Sequence, residues 1–215
     1  MKMGKGILFD LDGTLIDSER IKSDIRNEVC CEMGLGHCPE LFSLTIGRSL
    51  PDCKKIYESA YGEGYPFERI RALSQSRWRK LVRAGGRIMK EGALETLAYL
   101  RDKGYAMALA TSTRRDETDF ILDMSGLRLY FSIVICGDEV KESKPSPEIY
   151  LKGMEALGVR PEESIVVEDS LNGVCAADLA GAGTIFWIPD MLRFDLAPFA
   201  RCRKIADMAA LRKLL

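Results

Sequence analysis

The sequence contains a single histidine and no pair of cysteines separated by two residues. Its seven cysteines are scattered and odd in number, so they predict neither a disulfide framework nor a structural zinc site. The histidine, His37, has one nearby cysteine, Cys38, and we interpret it as a solvated loop residue. Because no secretion signal is evident, we expect reduced thiols and a cytoplasmic location.

Long apolar runs and an excess of one charge are also missing. The first apolar run, residues 7–9, stops at Asp10, far short of the apolar region of a signal peptide. No run approaches the roughly 18–20 apolar residues of a membrane span. Lys and Arg total 31 against 32 Asp and Glu, which gives a formal net charge of −1. We therefore expect no targeting segment, no membrane partner and no nucleic-acid partner, and the sequence leaves room for a local site for a small anion.

The composition is that of a globular protein, with 47% hydrophobic and 29% charged residues. A chain of 215 residues suffices for one large domain or two small ones. From residue 89 onward, short β-rich apolar runs alternate with amphipathic stretches, which predicts a parallel α/β sheet covered by helices on both faces. The predicted strands are residues 5–9, 105–110, 131–136, 165–167 and 184–188, and the predicted helices are residues 91–103, 115–125, 147–157 and 171–180.

Residues from about 17 to 86 interrupt this alternation and contain no convincing strand. A four-residue spacing of apolar side chains predicts a helix that Gly34 ends, and Ser49-Leu50-Pro51-Asp52 is typical of a capped helix start. Pro66 is typical of the start of another helix, whose apolar residues are Phe67, Ile70, Leu73 and Leu81. The apolar stripe of the first of these helices consists of Ile21, Ile25, Val29 and Met33. The pattern therefore predicts a helical insert between the first strand and the rest of the sheet.

Two acids follow the first predicted strand, in the segment Asp10-Leu11-Asp12-Gly13-Thr14. The carboxyl end of a parallel strand is the usual ligand position of an open α/β sheet. Two acids crowded there repel each other unless a cation binds, and Mg²⁺ suits a site made of oxygen atoms. The alternative is an ordinary Asp-Gly turn with solvated acids; the position directly after an apolar strand favours the metal site.

Three further loops bring polar residues to the same predicted edge of the sheet. Glu168 and Asp169 form a second acid pair, which can share one Mg²⁺ with the first. Thr111 and Ser112 end another strand with hydroxyl and N–H groups, and Lys144 supplies a positive charge for a phosphoryl group. Each has a plain alternative, namely a helix N-cap for the hydroxyl residues and Asp169, or a solvated loop lysine. Their combination at separate strand ends favours an active site.

At this point the chain resembles the haloacid dehalogenase superfamily, over essentially its whole length. Its four motifs occur here in order as Asp10-Leu11-Asp12-Gly13-Thr14, Ala110-Thr111-Ser112, Ser143-Lys144-Pro145 and Val167-Glu168-Asp169-Ser170. The resemblance implies an α/β fold, with a Rossmann-like parallel sheet that has helices on both faces. Residues 1–16 and 87–215 would form this catalytic core, and residues 17–86 an inserted helical-bundle cap domain.

The resemblance also implies roles for the motif residues. Asp10 would attack phosphorus and form an aspartyl-phosphate, while Asp12 would protonate the leaving oxygen and then activate water. Mg²⁺ would be held by the carboxylates of Asp10 and Asp169 and the backbone carbonyl of Asp12, with Glu168 direct or through water. The phosphoryl oxygens would be bound by Thr111, Ser112 and Lys144. The implied enzyme is a Mg²⁺-dependent phosphatase, a phosphoric monoester hydrolase acting on a small phosphorylated metabolite such as a sugar phosphate.

The subfamily resembles β-phosphoglucomutase and related phosphatases, and a phosphosugar mutase is therefore the alternative function. The mutase pattern has a histidine about ten residues after the general acid, where this chain has Lys22, and often a smaller aliphatic residue at the position of Thr14. It also has an arginine a few residues after a cap glycine, whereas Arg48 follows Gly47 directly. These departures favour hydrolysis. Residues that can meet a second anionic group of the substrate are Lys22, Gly47, Arg48, Arg114 and Arg115.

A signalling receiver domain is an alternative from a different class, because it also combines a phosphorylated aspartate, an acid pair, a hydroxyl residue and a lysine on an α/β sheet. A receiver needs no acid two residues after that aspartate, and it carries no helical insert. Asp12 and residues 17–86 therefore argue against it. The sequence leaves the oligomeric state open, and a monomer is compatible with it.

Overall fold

A computed structural model describes residues 6–36, 39–45 and 50–215 of the chain. Two compact units are present: one comprises Met1–Asp17 and Ile88–Leu215, and the other comprises Ser18–Arg87. Assigning catalysis to the first unit and a cap function to the second stays a prediction. His37, Cys38, Gly47 and Arg48 lie outside the described residues.

The first unit is built on a six-stranded sheet, in which all neighbouring strands run parallel. The strands are β1 (Gly6–Phe9), β2 (Ala106–Ala110), β3 (Ile133–Ile135), β4 (Ile165–Glu168), β5 (Thr184–Trp187) and β6 (Cys202–Lys204), in the order β3-β2-β1-β4-β5-β6. Leu8 pairs with Ala108 on one side and with Val166 on the other. The predicted fold class, an α/β Rossmann-like parallel sheet, is confirmed.

The described residues form nine α-helices: α1 (Ser18–Glu32), α2 (Pro39–Thr45), α3 (Leu50–Tyr61), α4 (Phe67–Arg83), α5 (Ala93–Asp102), α6 (Arg115–Ser125), α7 (Glu148–Leu157), α8 (Leu171–Leu179) and α9 (Met208–Arg212). Helix α7 packs against β1, β2 and β3. A Cβ atom at Gly153 would lie 2.5 Å from Leu8 Cδ2, so glycine allows the helix to approach the central strand this closely.

The central strand β1 explains where a site can form. Ile7, Leu8 and Phe9 are fully buried, as expected for a parallel strand covered on both faces. From β1 the sheet grows through β2 and β3 in one direction, and through β4, β5 and β6 in the other. The strand order therefore reverses next to β1, and ligands bind at the carboxyl ends of strands at such a point.

The second unit contains α1 to α4 and has its own core. Ile25 and Val29 of the predicted stripe are buried, and Gly34 has a positive φ of 67° after the end of α1. Pro66 directly precedes α4, as predicted. Leu73, one of the apolar residues of that predicted helix, is 40% exposed. Aromatic packing contributes to this core, with the rings of Tyr57, Tyr61 and Tyr65 stacked.

Three elements were not predicted: β6, α2 and α9. Strand β6 has the sequence Cys-Arg-Lys, which contains no apolar run that could predict a strand. It is a strand because its backbone pairs with β5. The linkers 16–17 and 88–90 are also paired, since Ile16 and Met89 form an antiparallel bridge and Asp17 N–H donates to Ile88 O at 2.8 Å. Among the described residues, no helix is both long enough and apolar enough for a membrane span.

Candidate active site

The polar residues of the sequence motifs converge at the carboxyl edge of the sheet. Asp10 directly follows β1, Thr111 follows β2 and Asp169 follows β4. Lys144 comes from the loop between β3 and α7, and its ammonium group reaches the same edge. This convergence is a consequence of parallel strands, which all end at one edge.

Lys144 is the electrostatic centre of the site. Its side chain is 4% exposed, and its Nζ donates to Asp10 Oδ1 at 2.6 Å, Glu168 Oε1 at 2.7 Å and Ala110 O at 3.0 Å. Burial alone would lower the pKa of Lys144, but the adjacent carboxylates of Asp10 and Glu168 raise it well above its ordinary value. The lysine therefore remains charged and holds two acids together.

Glu168 is surrounded by donors. Its Oε1 accepts from Lys144 and from the Tyr150 hydroxyl at 2.9 Å, and its Oε2 accepts from the N–H groups of Asp169 and Ser170 and from the Ser170 hydroxyl, each at 2.9 Å. Burial opposes ionisation, but the charge of Lys144 and these hydrogen bonds lower the pKa of Glu168. Its two oxygens thus anchor Lys144 and the loop after β4, and a contact of Glu168 with Mg²⁺, direct or through water, stays a prediction.

Asp10 and Asp169 have fewer interactions than Glu168 that offset the cost of burying a negative charge. Desolvation, opposed by Lys144 and reinforced by Glu168, raises the pKa of Asp10 to about 8. Desolvation, with the negative charges of Glu168, Asp10 and Asp190, raises the pKa of Asp169 well above its ordinary value. Both shifts show that ionised carboxylates are disfavoured at this edge, chiefly by burial and further by neighbouring acids, and a bound cation would favour the ionised forms.

Asp12 is held by a residue that the sequence analysis left without a role. The Thr113 hydroxyl donates to Asp12 Oδ2 at 2.6 Å, and Thr113 N–H donates to the Thr111 hydroxyl oxygen at 3.1 Å. Thr111 is buried, and its own N–H donates to Ile135 O at 3.0 Å, which fixes the loop after β2 to β3. Ser112 is exposed at the same turn.

The turn after β1 brings a further acid into the site. Gly13 has a φ of 77°, and a Cβ atom there would lie 2.3 Å from Asp169 Oδ2 and 3.1 Å from Asp190 Oδ2. Only glycine leaves room for both carboxylates against the turn. The Thr14 hydroxyl donates to Asp169 Oδ1 at 3.3 Å.

Asp190 connects the site with the paired linkers. Lys90 forms ion pairs with Asp190 Oδ1 and, at 3.3 Å, with Asp17 Oδ1. The second oxygen of Asp190, Oδ2, is buried and has no hydrogen-bond partner in the part of the chain that the structure describes. One face of this acid is thus neutralised by Lys90, and the other lies unpaired beside Asp169.

The oxygen ligands at this edge of the sheet fit a magnesium ion. Among the described residues, no three Asp, Glu, His or Cys side chains form a metal cluster by themselves. However, Asp10 and Asp169 have raised pKa values, and Asp190 Oδ2 is buried without a partner. Mg²⁺ prefers oxygen ligands and usually keeps several waters, so two carboxylates and a backbone carbonyl suffice for it.

Two of the predicted substrate residues, Arg114 and Arg115, lie in the first unit and form ion pairs within it. The Arg114 side chain is 74% exposed and pairs with Asp116 at 3.5 Å. Arg115 pairs with Glu139 at 2.8 Å and donates to Val134 O at 2.7 Å, so its guanidinium supports the loop after β3. Lys22 lies in the second unit, and Gly47 and Arg48 lie outside the described residues. The roles of these residues in substrate binding stay predictions.

Three residues of the site were missed: Thr113, Tyr150 and Asp190. For Asp190 a signal existed, because an acid soon after the apolar run 184–188 obeys the same strand-end rule as the other acids. Tyr150 lies within a helical pattern, and its hydrogen bond to Glu168 depends on how that helix packs. Thr113 reaches Asp12 only because of the conformation of the turn.

A family model described as haloacid dehalogenase-like hydrolase matches residues 7–187. The chain is 33% identical over 186 residues to a phosphorylated carbohydrates phosphatase of Thermotoga maritima, covering 86% of this chain and 85% of the relative. Its phosphatase name agrees with the predicted class of enzyme.

Two solved structures show the same fold. The structure of a putative β-phosphoglucomutase from Thermotoga maritima has a TM-score of 0.80 at 28% identity, covering 98% of this chain and 100% of that one. CbbY from Rhodobacter sphaeroides, solved in complex with phosphate, has a TM-score of 0.76 at 27% identity, covering 97% and 96%. With the family match over most of its length, this chain belongs to the haloacid dehalogenase-like hydrolases.

Proposed function

We propose that this chain is a Mg²⁺-dependent phosphatase that hydrolyses a phosphorylated carbohydrate through an aspartyl-phosphate on Asp10. The observation that carries the proposal is the buried contact of Lys144 with Asp10 and Glu168, next to an Asp12 that Thr113 orients. The phosphatase name of the Thermotoga maritima relative supports the substrate class, and the phosphate in the CbbY structure supports the chemistry. The location in the cytoplasm stays a prediction.

The reaction follows from the positions of these groups. An Asp10 carboxylate oxygen attacks phosphorus while the ester P–O bond breaks, and Asp12 gives its proton to the leaving oxygen. A water molecule then attacks phosphorus, Asp12 takes its proton, and the bond to Asp10 breaks. Lys144 places a fixed positive charge beside the phosphoryl oxygens in both steps. Since a hydroxyl that accepts a hydrogen bond keeps its own proton, Thr111 can donate to a phosphoryl oxygen.

The residues that would hold Mg²⁺ are Asp10, Asp169 and the backbone carbonyl of Asp12. Bound there, the ion would supply a second positive charge for the phosphoryl oxygens. In this arrangement Glu168 positions Lys144. The Oδ2 atom of Asp190 lies beside the metal-binding carboxylate of Asp169.

Phosphate release from a panel of phosphorylated metabolites, with Mg²⁺ and with EDTA, tests this function directly. We expect turnover of phosphorylated carbohydrates that EDTA abolishes and added Mg²⁺ restores. Turnover that EDTA leaves unchanged would contradict the metal dependence, and no release from any phosphate ester would contradict the phosphatase.

A phosphosugar mutase remains the second candidate, because the Thermotoga maritima structure named a putative β-phosphoglucomutase covers the whole fold. The presence of Lys22 in place of the mutase histidine favours hydrolysis. Analysing the products from glucose phosphates separates the two functions, since isomerised sugar without released phosphate would establish the mutase.

The Thr113–Asp12 hydrogen bond leads to a prediction about leaving groups. Thr113→Val removes the 2.6 Å hydrogen bond, so Asp12 is less well placed to protonate the leaving oxygen. We expect kcat for a sugar phosphate to fall about tenfold, the effect of losing one hydrogen bond to a charged group. For p-nitrophenyl phosphate, whose leaving group needs little protonation, the fall should be small.

Thr96→Val is the matched control for this variant. It removes a buried threonine hydroxyl that donates to Met208 O at 2.9 Å, between α5 and the first residue of α9. Its kcat values for both substrates should match those of the unmodified protein. An equal loss for both substrates in Thr113→Val would indicate a general structural effect, and Thr113 would not be a positioning residue.

The raised pKa of Asp10 predicts how Mg²⁺ and pH interact. The folded-state pKa of about 8 lies above the ordinary value of 3.8, so ionising Asp10 disfavours the folded, metal-free protein as pH rises between these values. A bound cation favours the ionised form. The increase in Tm caused by Mg²⁺ should therefore grow from about pH 6 to about pH 8 and then level off.

Differential scanning fluorimetry in EDTA and in Mg²⁺ measures this dependence. Asp10→Asn cannot ionise and should weaken the pH dependence, whereas the exposed Asp123, paired with Arg128 at 2.9 Å, can be changed to Asn without effect on it. A Mg²⁺ effect on Tm that is constant with pH in the unmodified protein would refute the coupling.

A further inference from the structure

Asp190 carries one oxygen atom that the proposed hydrolysis does not use. This atom, Oδ2, is buried and has no hydrogen-bond partner among residues 6–36, 39–45 and 50–215. The other oxygen, Oδ1, forms an ion pair with Lys90, which favours the ionised form of the carboxylate. Leaving a buried carboxylate oxygen without a donor costs free energy, so Oδ2 indicates a hydrogen bond from a bound group.

The backbone holds Asp190 next to the end of β4. Ile188 N–H donates to Glu168 O at 2.8 Å, and the indole N–H of Trp187 donates to Asp169 O at 2.7 Å. Both hydrogen bonds connect the end of β5 and the residue after it with the acid pair at the end of β4. The carboxylate of Asp190 is therefore held in a fixed position relative to Asp169.

Gly13 shows that Oδ2 of Asp190 lies on the side of the proposed metal site. A Cβ atom on Gly13 would lie 2.3 Å from Asp169 Oδ2 and 3.1 Å from Asp190 Oδ2, so both oxygens border the space that this glycine leaves free. Burial and the neighbouring acids, Asp190 among them, raise the pKa of Asp169. A cation beside the two carboxylates would offset their mutual repulsion.

Two donors of the turn after β1 are used by other acceptors. Gly13 N–H donates to Ile16 O at 2.8 Å, and the Thr14 hydroxyl donates to Asp169 Oδ1 at 3.3 Å. A water molecule on the ion is a suitable donor for Asp190 Oδ2, because Mg²⁺ binds few protein ligands and keeps several waters. The cation also polarises these waters, which strengthens them as donors.

We propose that Asp190 is a positioning residue of the metal site, whose Oδ2 accepts a hydrogen bond from a water of the Mg²⁺ hydration shell. Lys90 holds the other oxygen of this carboxylate. The inference rests on the proposed Mg²⁺ site and adds to it a residue outside the four sequence motifs. Direct contact with the ion is not required, since Asp10, Asp169 and the backbone carbonyl of Asp12 would already supply protein ligands.

Asp190→Asn tests this role through metal binding alone. The amide keeps the shape of the side chain and removes its negative charge. Mn²⁺ serves as the probe, because it takes the same carboxylate, carbonyl and water ligands as Mg²⁺, and electron paramagnetic resonance measures the free ion. Without substrate, the Kd for Mn²⁺ should rise about 10–100-fold, the usual effect of losing an outer-shell partner of a metal site. An unchanged Kd would overturn the proposal.

Asp17→Asn is the matched control, because Asp17 also pairs with Lys90, at 3.3 Å, and its side chain is 14% exposed against 11% for Asp190. This variant should bind Mn²⁺ like the unmodified protein. An equal loss of affinity in both variants would mean that the Lys90 cluster acts only through its charge, and Asp190 would have no specific role. If Asp190→Asn does not fold, Asp190→Ser decides: weaker binding supports the role, and unchanged binding overturns it.

Water-proton relaxation of the bound Mn²⁺ separates a contact through water from a direct one. The number of waters on the ion should be the same in the unmodified protein and in Asp190→Asn, because the proposed hydrogen bond leaves the water on the metal. One additional water in the variant would show that Asp190 is a direct ligand, and the contact through water would be wrong.

The role of Asp190 and the proposed hydrolysis can fail separately. Phosphate release that EDTA abolishes, together with an unchanged Mn²⁺ Kd in Asp190→Asn, would refute the role of Asp190 and leave the phosphatase intact. Mn²⁺ binding that depends on Asp190, in a protein that releases no phosphate from any ester, would refute the phosphatase and support the role of this residue.

Discussion

Asp10→Asn is expected to lower kcat for every phosphate ester by roughly 10⁴-fold or more, as for loss of a covalent nucleophile. The amide has the shape of the carboxylate, and its oxygen can still accept the hydrogen bond that Lys144 now donates to Asp10 Oδ1 at 2.6 Å. It cannot, however, form an acyl phosphate. Phosphate release measures the rate, and circular dichroism should show an unchanged fold.

Trapping the intermediate makes the test specific to the covalent step. Brief incubation with substrate followed by acid quenching should yield a phosphoprotein that hydroxylamine cleaves, and Asp10→Asn should yield none. Asp123→Asn, at an exposed aspartate paired with Arg128, is the matched control and should keep both activity and labelling. A near-normal rate in Asp10→Asn would exclude the aspartyl-phosphate mechanism.

Lys144→Met is expected to affect stability and catalysis together. It leaves the buried carboxylates of Asp10 and Glu168 without their shared cation, and breaking a buried ion pair in this way costs about 3–5 kcal/mol of unfolding free energy. It also removes a fixed positive charge from the phosphoryl oxygens, for which we expect a loss of roughly 10²–10³-fold in kcat. Urea unfolding and kinetics below the lowered Tm measure the two effects.

Lys152→Met is the control, because Lys152 also pairs with a glutamate, Glu148 at 2.9 Å, but is 42% exposed. Exposed ion pairs contribute little, so its stability should change by less than about 1 kcal/mol and its kcat should be unchanged. Lys144→Arg keeps the charge with a different shape, and should be more stable than Lys144→Met yet still slow. A Lys144→Met protein of normal stability and activity would exclude the central role of this lysine.

Most of the sheet was predictable, because a buried parallel strand needs a continuous apolar run on both faces. Strands β1, β2, β4 and β5 carry such runs and lie within about one residue of their predicted limits. Strand β6 has none, since it lies at the sheet's edge and forms by backbone pairing with β5. The exposure of Leu73 shows the same limit for α4, because helical periodicity alone does not define which face is packed.

Some residues of the site could likewise be predicted from the sequence, and others could not. Asp10, Lys144 and Asp169 could be found because each ends or follows a strand, and the carboxyl ends of parallel strands converge. That Glu168 has both oxygens occupied by donors could not be found, because Tyr150 reaches it from a helix 18 residues away in sequence. The contact of Thr113 with Asp12 spans 101 residues and depends on how two turns face each other.

The sequence by itself determined the type of sheet, the helical insert and the acids, hydroxyls and lysine at the strand ends, because these features depend on local patterns. Only the tertiary structure decided which acid pairs with which cation. Ion pairs and hydrogen bonds act over a few ångströms between segments distant in sequence, and burial sets their strength. Glu168 and Asp10 are both buried, but the charge of Lys144 and several hydrogen bonds lower the pKa of Glu168, whereas burial raises that of Asp10.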